Sequence, residues 1–210
     1  MQTQQKYYTP EEYLALEEAA EYKSEYIEGE IIPMAGGTTN HNQIALNFSA
    51  ELIFAFKKLD YRVFINDVRL WIPERRIYTY PDVMVIQGEP EYVNDRKDMI
   101  TNPKIIVEVL SDSTKGYDRS DKFAAYRTLP TFEEYILFDQ TKIHIEQYSK
   151  TANKRWSFRE YDAEDETVTL NSVDLEIAIA EDESITLNAL ELEIALFDIY
   201  NKVKFETKED

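Results

Sequence analysis

The sequence predicts an α/β protein built on a mixed β-sheet that is flanked by helices. Three observations predict this class. Apolar residues recur at helical spacing in two segments, valine, isoleucine and aromatic residues concentrate in extended segments, and these elements follow one another as helix, three strands, helix, two strands. We expect one domain over residues 1–210, with a core at about 22–149 and an acidic C-terminal extension, 150–210, packed on the same domain.

The first predicted elements are a short helix and a hairpin. Thr9 has the position of an N-cap, Pro10 that of the first helical residue and Glu12 that of the acid in a capping box, which predicts a helix to about Ala20. Gly29 then separates two short extended pieces, as in a hairpin or a bulged strand. The first 34 residues are therefore expected to contain one helix and two short strands.

Two further helices and five strands complete the predicted core. Asn40 and Gln43 resemble a capping pair before a helix at about 41–59, in which large apolar residues recur at helical spacing. Asp118 has the position of the N-cap of the second core helix, and Pro130 ends that helix. The extended segments lie near 61–72, 77–86, 104–111, 134–138 and 142–148.

The C-terminal extension has a weaker pattern. Trp156 and Phe158 alternate with polar residues, and so do the apolar residues of 175–179, which predicts two half-buried strands. Residues 190–196 alternate as well, but 194–200 fit a helix equally, and the sequence leaves this choice open. The extension is therefore expected to be an additional β-rich segment.

Composition excludes several kinds of site. The chain has no cysteine, so disulfides, thiolate catalysis and cysteine-ligated metals are excluded. Its two histidines cannot form a histidine-rich metal cage, and no GxGxxG or GxxxxGK motif is present to hold a nucleotide. Any metal would be bound mainly by carboxylates, which favours magnesium, manganese or calcium.

The charge is strongly acidic and unevenly distributed. The formal net charge is −18, the opposite of what a phosphate-binding protein usually carries. Residues 31–149 are nearly balanced, with 14 basic and 17 acidic side chains, so most of the acidic excess lies at the two ends. No apolar run approaches the ~20 residues of a membrane helix, and the N-terminus lacks a signal pattern. We therefore expect a soluble, cytoplasmic protein with no membrane partner.

Two carboxylates interrupt segments that are otherwise apolar. Asp82 lies in YPDVMVI and Glu108 lies in KIIVEVLS. Each could pair with a buried arginine or cap a turn, because an ionised carboxylate in an apolar strand needs a partner. Side chains alternate along a strand, so on neighbouring strands both could converge on one ion. Two carboxylates, a main-chain carbonyl such as that of Val109, and waters would suit Mg²⁺ or Mn²⁺, which can support phosphodiester hydrolysis.

These motifs resemble those of known nucleases. Pro81-Asp82 followed by Glu108-Val109-Leu110 resembles the PD-(D/E)XK nuclease superfamily. An ordered set of motifs over roughly residues 7–148 is similar, more narrowly, to the Uma-two family of endonucleases: Glu25 to Gly29, His41, Pro81-Asp82, Val107 to Ser111, Ser113-Thr114, Asp118, Lys122 to Tyr126 and Glu134-Tyr135. The resemblance implies a restriction-endonuclease-like core, a metal-dependent nuclease activity and DNA as substrate.

One position departs from the superfamily pattern. The lysine that usually stands two residues after the glutamate is replaced here by Leu110. A missing cation would leave the attacking water and the phosphate without a positioning group. The resemblance implies that Lys122, in the following helix, supplies it; the alternative is a lysine that merely extends to water from the edge of an apolar face.

Two more site residues are implied by the resemblance, each with a structural alternative. Glu25 matches a carboxylate of the N-terminal hairpin and could be a further ligand or hold a water, or it could be a solvated acid. His41 could contact a phosphate, or it could hold the loop before its helix. Asp118 is interpreted as a helix cap that fixes Lys122 indirectly, and not as a ligand.

Two functions are therefore compatible with the sequence. The first is a metal-dependent endonuclease in which Asp82 and Glu108 bind Mg²⁺ and Lys122 positions the water that attacks DNA. Such an enzyme would cut a duplex as a homodimer, because two strands require two sites. The second is a non-catalytic or degenerate nuclease fold that serves as an oligomeric binding or scaffold module.

Overall fold

The computed structural model of the protein describes residues 6–112, 114–175 and 190–205. Ser113 of the Ser113-Thr114 motif and residues 176–179 of the predicted strand 175–179 lie outside this range. The helices are α1 (Pro10–Ala19), α2 (Thr39–Ala55), α3 (Lys115–Tyr117), α4 (Phe123–Tyr126) and α5 (Leu196–Ile199). A π-helical turn, Asp118–Lys122, joins α3 to α4, and a 3₁₀ turn spans Pro73–Arg75.

The described strands form two six-stranded sheets and one two-stranded ribbon. Their bounds are β1 (Ser24–Ile27), β2 (Glu30–Pro33), β3 (Tyr61–Ile65), β4 (Arg69–Ile72), β5 (Ile77–Thr79), β6 (Val83–Gln87), β7 (Tyr92–Val93), β8 (Arg96–Ile100), β9 (Ile105–Leu110), β10 (Glu134–Asp139), β11 (His144–Ala152), β12 (Arg155–Asp162), β13 (Thr167–Leu175) and β14 (Leu190–Ala195).

The central sheet has the strand order β12-β11-β10-β9-β6-β3, and the N-terminal sheet has the order β2-β1-β5-β4-β8-β7. In the central sheet, β9 is antiparallel to β6 and parallel to β10. The predicted class, a mixed sheet with flanking helices and a restriction-endonuclease-like core, is confirmed.

The central sheet is covered on both faces. Phe48 and Leu52 of α2 pack on one face together with Val83 and Val107, and apolar residues of β13, β14 and α5 join them there. The other face packs against the helical segment from α3 to α4 and against the N-terminal sheet. All six residues of β9 are buried, which explains why its sequence is a nearly continuous apolar run.

The N-terminal predictions are confirmed in detail. Thr9 accepts a hydrogen bond from the Glu12 N–H at 3.2 Å, and Glu12 accepts one from the Thr9 N–H at 2.8 Å, which completes the capping box. The chain then turns between β1 and β2 at Gly29, whose φ of 108° favours glycine. A short helix followed by a hairpin is therefore what the sequence specifies.

Three predicted helix boundaries are wrong. Thr38, not Asn40, caps α2, because its hydroxyl accepts the His41 N–H, while the Asn40 amide donates to the carbonyls of Gln140 and Lys204. The regular helix ends at Ala55, four residues early. Asp118 is not an N-cap, because the chain is already helical from Lys115.

The strand predictions need two corrections and one addition. The predicted segment 61–72 is two strands in different sheets, β3 and β4. The predicted segment 77–86 is likewise two strands in different sheets, β5 and β6, and Asp82 lies in the link between them. Strands β7 and β8 were not predicted. The choice left open at 190–200 resolves as a strand, β14, followed directly by the helix α5.

A buried glutamate attaches the extension to the core. Glu134, at the start of β10, is fully buried, and its carboxylate accepts hydrogen bonds from Gln147, Ser149 and two residues of β13, Asn171 and Ser172. The Ser172 hydroxyl donates at 2.6 Å and the Asn171 N–H at 3.1 Å. The packing of β13 thus depends on a polar contact as well as on apolar burial.

No helix of the described residues has the length and apolar character needed to cross a membrane.

Candidate active site

Asp82 and Glu108 face each other across the pair of strands β6 and β9. Val83 pairs with Val107 in the antiparallel register, so the next position places Asp82 opposite Glu108. Because side chains alternate along strands, both point to the face that carries Met84 and Ile106, against the helical segment. The two carboxylates therefore lie on the same face of neighbouring strands, as expected, and their binding of one ion stays a prediction.

Asp82 is held by one of its two carboxylate oxygens. The Val109 N–H donates to Oδ2 at 2.8 Å, and His41 Nε2 lies 3.2 Å from the same atom. Within the described part of the chain, Oδ1 has no hydrogen-bond partner. One oxygen thus fixes the orientation of the side chain, and the other is available to a ligand.

Glu108 is likewise held through only one of its two carboxylate oxygens. Its Oε1 accepts from Lys122 Nζ at 3.0 Å and from the Tyr126 hydroxyl at 2.7 Å, and among the described residues its Oε2 has no hydrogen-bond partner. Burial raises the pKa of Glu108 to about 8; the Lys122 charge opposes the shift, and the charges of Asp82 and Asp118 add to it. A proton or a cation is therefore favoured at this carboxylate.

Lys122 is buried among three carboxylates. Its Nζ lies 3.0 Å from Glu108, 3.2 Å from Asp118 and 3.7 Å from Glu25, and the side chain is 11% exposed. Burial disfavours the ammonium form, but Glu108 and Glu25 outweigh this and raise the pKa of Lys122 well above its usual value. The lysine does not extend to bulk water, so that alternative is wrong for Lys122.

The π-helical turn explains how Lys122 reaches this position. Turns of this kind widen a helix locally and are frequent at functional sites. Here the turn runs from Asp118 to Lys122, and it brings both side chains to the buried face of the helix, with Tyr126 one turn later. Lys122 thus brings a cation to Glu108 from a neighbouring element, while Leu110 itself packs in the core.

Glu25 comes to the site from the other sheet. It lies on β1, accepts a hydrogen bond from the Thr79 hydroxyl on β5, and is 13% exposed. The solvated-acid alternative is therefore wrong. Its distance of 3.7 Å from Lys122 Nζ makes it an ion-pair partner of the lysine.

The imidazole of His41 contacts Asp82, a partner that the sequence did not indicate. Burial lowers the pKa of His41, and the hydrogen bond and charge of Asp82 outweigh this effect, so that the pKa is raised. An imidazolium at this position would compensate the Asp82 charge. The location of His41 in the first turn of α2 brings it there, and a contact with phosphate stays a prediction.

Three residues of the site were not predicted as members of it. Tyr126 was recognised as a packing residue, but its hydroxyl donates to Glu108. The Tyr117 hydroxyl and Asp118 Oδ1 are buried and have no hydrogen-bond partner among the described residues, although Lys122 lies within ion-pair distance of Asp118. The i, i+4, i+8 spacing of Asp118, Lys122 and Tyr126 is the signal that could have indicated a shared face.

The carboxylates of the site outnumber its cations. Four carboxylates, those of Glu25, Asp82, Glu108 and Asp118, surround one ammonium and one imidazole. With all four carboxylates ionised and His41 protonated, the cluster would carry two unbalanced negative charges. Unbalanced buried charge is costly, so protons or a cation must compensate it.

The donor set fits a hard divalent cation only with help from the main chain and water. No group of three or more histidine, aspartate or glutamate side chains in the described ranges is arranged as a ready-made metal site. Two carboxylates, each with one oxygen free of hydrogen bonds, match the usual protein contribution to a Mg²⁺ site that keeps several waters. Val109 adjoins this pair, since its N–H already contacts Asp82.

Comparison with known proteins agrees with the family resemblance of the sequence motifs. The model of the Uma2 family, described as "Putative restriction endonuclease", matches residues 10–180. Two uncharacterized proteins of Synechocystis sp. (strain ATCC 27184 / PCC 6803 / Kazusa) are similar. One is 45% identical over 75% of this chain and 89% of its own length, and the other is 36% identical over 81% and 88%.

A solved structure shares the fold. It is the crystal structure of a protein from Anabaena variabilis ATCC 29413 described as a "putative nuclease belonging to DUF820". The two chains superpose with a TM-score of 0.68 over 92% of this chain and 97% of the other, at 20% identity. At this identity the comparison establishes a common fold.

Proposed function

The chain belongs to the Uma2 family, and on that premise we propose that it is a metal-dependent endonuclease that hydrolyses DNA phosphodiester bonds. The proposed ligands of Mg²⁺ or Mn²⁺ are Asp82, Glu108 and the carbonyl of Val109. Lys122 is proposed to position the attacking water, with Glu25 and His41 as supporting residues. The family description supports the nuclease class, and the metal and the residue roles are our proposal.

The observation that carries this proposal is the charge of the buried cluster. Its two unbalanced negative charges equal the charge of one divalent cation, and the free oxygens Oδ1 of Asp82 and Oε2 of Glu108 belong to side chains that face each other. A purely structural ion-pair network would be expected to balance its own charges. The excess therefore favours a cation site.

The chain's own residues prepare the site for this chemistry. When bound, a divalent cation neutralises charge on a phosphate oxygen and makes a water more acidic. Lys122 and Tyr126 hold Oε1 of Glu108, and His41 and the Val109 N–H hold Oδ2 of Asp82, so the two remaining oxygens are oriented in advance. The Lys122 ammonium supplies fixed positive charge where a water and a phosphate would meet.

The assignment of Lys122 can be tested with methionine, which keeps the length of the side chain and removes its charge. We expect Lys122→Met to lower the rate of plasmid cleavage about 100- to 1,000-fold, because a preorganised cationic donor is lost. Affinity for Mn²⁺ should be retained or increase, because the variant removes a positive charge next to the proposed ligand Glu108. Cleavage would be followed with Mg²⁺ and with Mn²⁺, and Mn²⁺ binding by calorimetry.

The control for this variant is Lys115→Met, seven residues earlier. Lys115 is exposed and pairs with Asp112, so the control should cleave normally. If Lys122→Met loses Mn²⁺ affinity together with activity, Lys122 is a structural member of the network. If Lys122→Met and alanine variants of Asp82 and Glu108 all cleave like the original protein, the enzyme proposal is wrong and the non-catalytic alternative stands.

Metal binding is expected to depend on pH. Because the pKa of Glu108 is raised to about 8, its carboxyl group is protonated below that pH in the metal-free protein, and a cation must displace the proton. Affinity for Mg²⁺ should therefore rise between pH 6 and pH 8 and level off above. Calorimetry in buffers of different ionisation enthalpy would count the proton released.

His41 is the other group whose titration could produce this dependence, since its pKa is raised and it contacts Asp82. In His41→Gln the proton release should persist if Glu108 is its source. A Mg²⁺ affinity that does not change between pH 6 and pH 8 would contradict the proposed ligand role of Glu108. The raised pKa of Glu108 also means that metal-free protein loses stability as pH rises from 4.5 to about 8, because the unfolded chain releases its proton first.

The homodimer remains a proposal. It rests on the two sites that a double-strand cut requires.

A further inference from the structure

A groove with a cavity volume of about 600 Å³ opens beside the C-terminal end of α4 and the hairpin of β11 and β12. Three cationic side chains line it, together with one tryptophan and one acid. We call it the basic groove and define it by Arg127, Lys150, Lys154, Trp156 and Glu74. The chain has a net charge of −18, whereas these three cations and one acid give the groove a positive local charge.

The three cations are not neutralised by the fold. Among the described residues, neither Arg127, Lys150 nor Lys154 forms an ion pair with a carboxylate. Two cations of the neighbouring elements differ in this respect: Lys104 pairs with Glu133, and Arg119 pairs with Glu146. Unpaired cations that share a concave surface attract an anionic partner, because they can release its counterions without first breaking an ion pair.

The groove is rigidly built. The Arg127 guanidinium lies 4.7 Å from the ring centre of Phe123, which restricts it to one side of that ring. Trp156 packs on Phe123 and Phe132 with ring centres 5.3 Å apart in both cases. Arg127 and the indole of Trp156 are therefore presented by the aromatic core beneath the groove, whereas Lys150 lies on β11 and Lys154 lies in the turn between β11 and β12.

The groove continues from the elements that carry the candidate active site. Arg127 follows Lys122 by five residues, which is about 7.5 Å along a helix axis. Glu74 lies in the 3₁₀ turn before β5, and β5 carries Thr79, the hydrogen-bond donor to Glu25.

We propose that the basic groove binds the phosphodiester backbone of DNA beside the cleavage site. The inference rests on the proposed function for the position of the scissile bond, but the binding itself does not. Charge complementarity identifies the partner, because this acidic chain needs locally unpaired cations to hold a polyanion. Trp156 lines the groove and is only partly buried, so it adds an aromatic surface of the kind on which bases stack.

The test is the salt dependence of DNA binding. Arg127, Lys150 and Lys154 would be replaced together by glutamine, and binding of a fluorescent 30-base-pair duplex would be measured by anisotropy in EDTA. We expect affinity at low salt to fall at least about tenfold and the slope of log K against log salt to become shallower by about 2 to 3. A single-stranded probe of the same sequence would show whether the groove prefers duplex or single strand.

A matched control separates local from overall charge. Lys57, Lys58 and Lys142 are exposed, and their replacement by glutamine changes the net charge by the same three units. This triple variant should leave the slope of log K against log salt unchanged. Arg127→Lys should leave that slope unchanged as well, because it keeps the positive charge. Equal losses in both triples, or no loss in the groove triple, would overturn the proposal; thermal unfolding would verify that each variant is folded.

The two proposals fail in different ways. Because binding is measured in EDTA, it requires neither metal nor cleavage. If the substitutions at Arg127, Lys150 and Lys154 weaken DNA binding but the protein never cuts DNA, only the nuclease proposal is refuted. If the protein cuts DNA but these substitutions leave DNA binding unchanged, only the proposal for the basic groove is refuted.

Discussion

Replacing Asp82 with asparagine is expected to reduce Mg²⁺-dependent cleavage of plasmid DNA about 1,000-fold or more, because a proposed metal ligand is lost. Asparagine has nearly the same shape, and its amide oxygen can still accept the Val109 N–H that now donates to Oδ2. The change therefore removes charge and leaves the packing in place. Initial cleavage rates and Mn²⁺ affinity would be measured on the same preparations.

The stability of the Asp82→Asn variant gives an independent measurement. Asp82 adds to the electrostatic repulsion that raises the pKa of Glu108, so its removal relieves like-charge repulsion in the metal-free protein wherever Glu108 is ionised, and it favours ionisation of Glu108 at lower pH. We expect the variant to be as stable as the original protein without metal and to be stabilised less by added Mg²⁺. This behaviour is expected of a metal site whose like charges destabilise the folded protein when no metal is bound.

Asp60→Asn is the matched control. Asp60 is 79% exposed, and among the described residues its ion pair is with Arg62 alone, so the same chemical change there should alter neither cleavage nor metal affinity. Cleavage by Asp82→Asn within tenfold of the original rate would contradict the proposed ligand role. Loss of cleavage with unchanged Mn²⁺ affinity would assign Asp82 to another step.

The two carboxylates at the centre of the site could be predicted because each interrupts a segment that is otherwise apolar. A carboxylate at an inward position of an apolar strand is rare enough to need an explanation, and Asp82 and Glu108 both stand out in this way. Strand alternation then fixed their common face, and the structure shows that face. Lys122 could not be found from spacing alone, and only the family resemblance indicated it.

The sequence could not show which sheet each strand joins. Residues 77–86 form one apolar segment, yet the chain leaves the N-terminal sheet after Thr79 and enters the central sheet at Val83. The intervening Pro81 lacks an N–H and so interrupts a ladder, but a proline also fits an edge strand. Sheet membership depends on contacts distant in sequence, such as that of Glu25 with Thr79.

The π-helical turn was not predictable for a related reason. Its residues, Asp118 to Lys122, have ordinary helical composition, and a capping position for Asp118 satisfies every local preference. The turn is favoured by contacts outside the helix, since Lys122 must reach Glu108 and Glu25 on two different sheets. Local propensity and tertiary electrostatics conflict here, and the tertiary contacts prevail.

Glu134 shows a different limit of prediction from the sequence. It follows Glu133 in the sequence, and in a chain with 41 acidic residues neither of the two stands out. In the structure Glu133 is 41% exposed and pairs with Lys104, whereas Glu134 is fully buried and has only neutral donors among the described residues. The difference arises from β13, whose position no local pattern predicted.

Replacing Glu134 with alanine is therefore expected to destabilise the protein by about 3–5 kcal/mol, because several buried donors lose a charged acceptor at once. The N–H groups of Asn171 and Ser172 would be left without their acceptor, and the attachment of β13 to β10 would weaken. Unfolding in urea would measure the free energy, and hydrogen exchange at the Asn171 and Ser172 amides would locate the opening.

Two variants make this prediction specific. Glu133→Ala, one residue earlier, removes an exposed ion pair and should cost less than about 1 kcal/mol. Ser172→Ala removes one neutral donor to Glu134 and should cost about 1 kcal/mol. If Glu134→Ala costs no more than Glu133→Ala, the carboxylate does not hold the extension. If it costs the expected amount but exchange at β13 is unchanged, the attachment depends on apolar contacts, and Glu134 stabilises only the β10–β11 pair through Gln147 and Ser149.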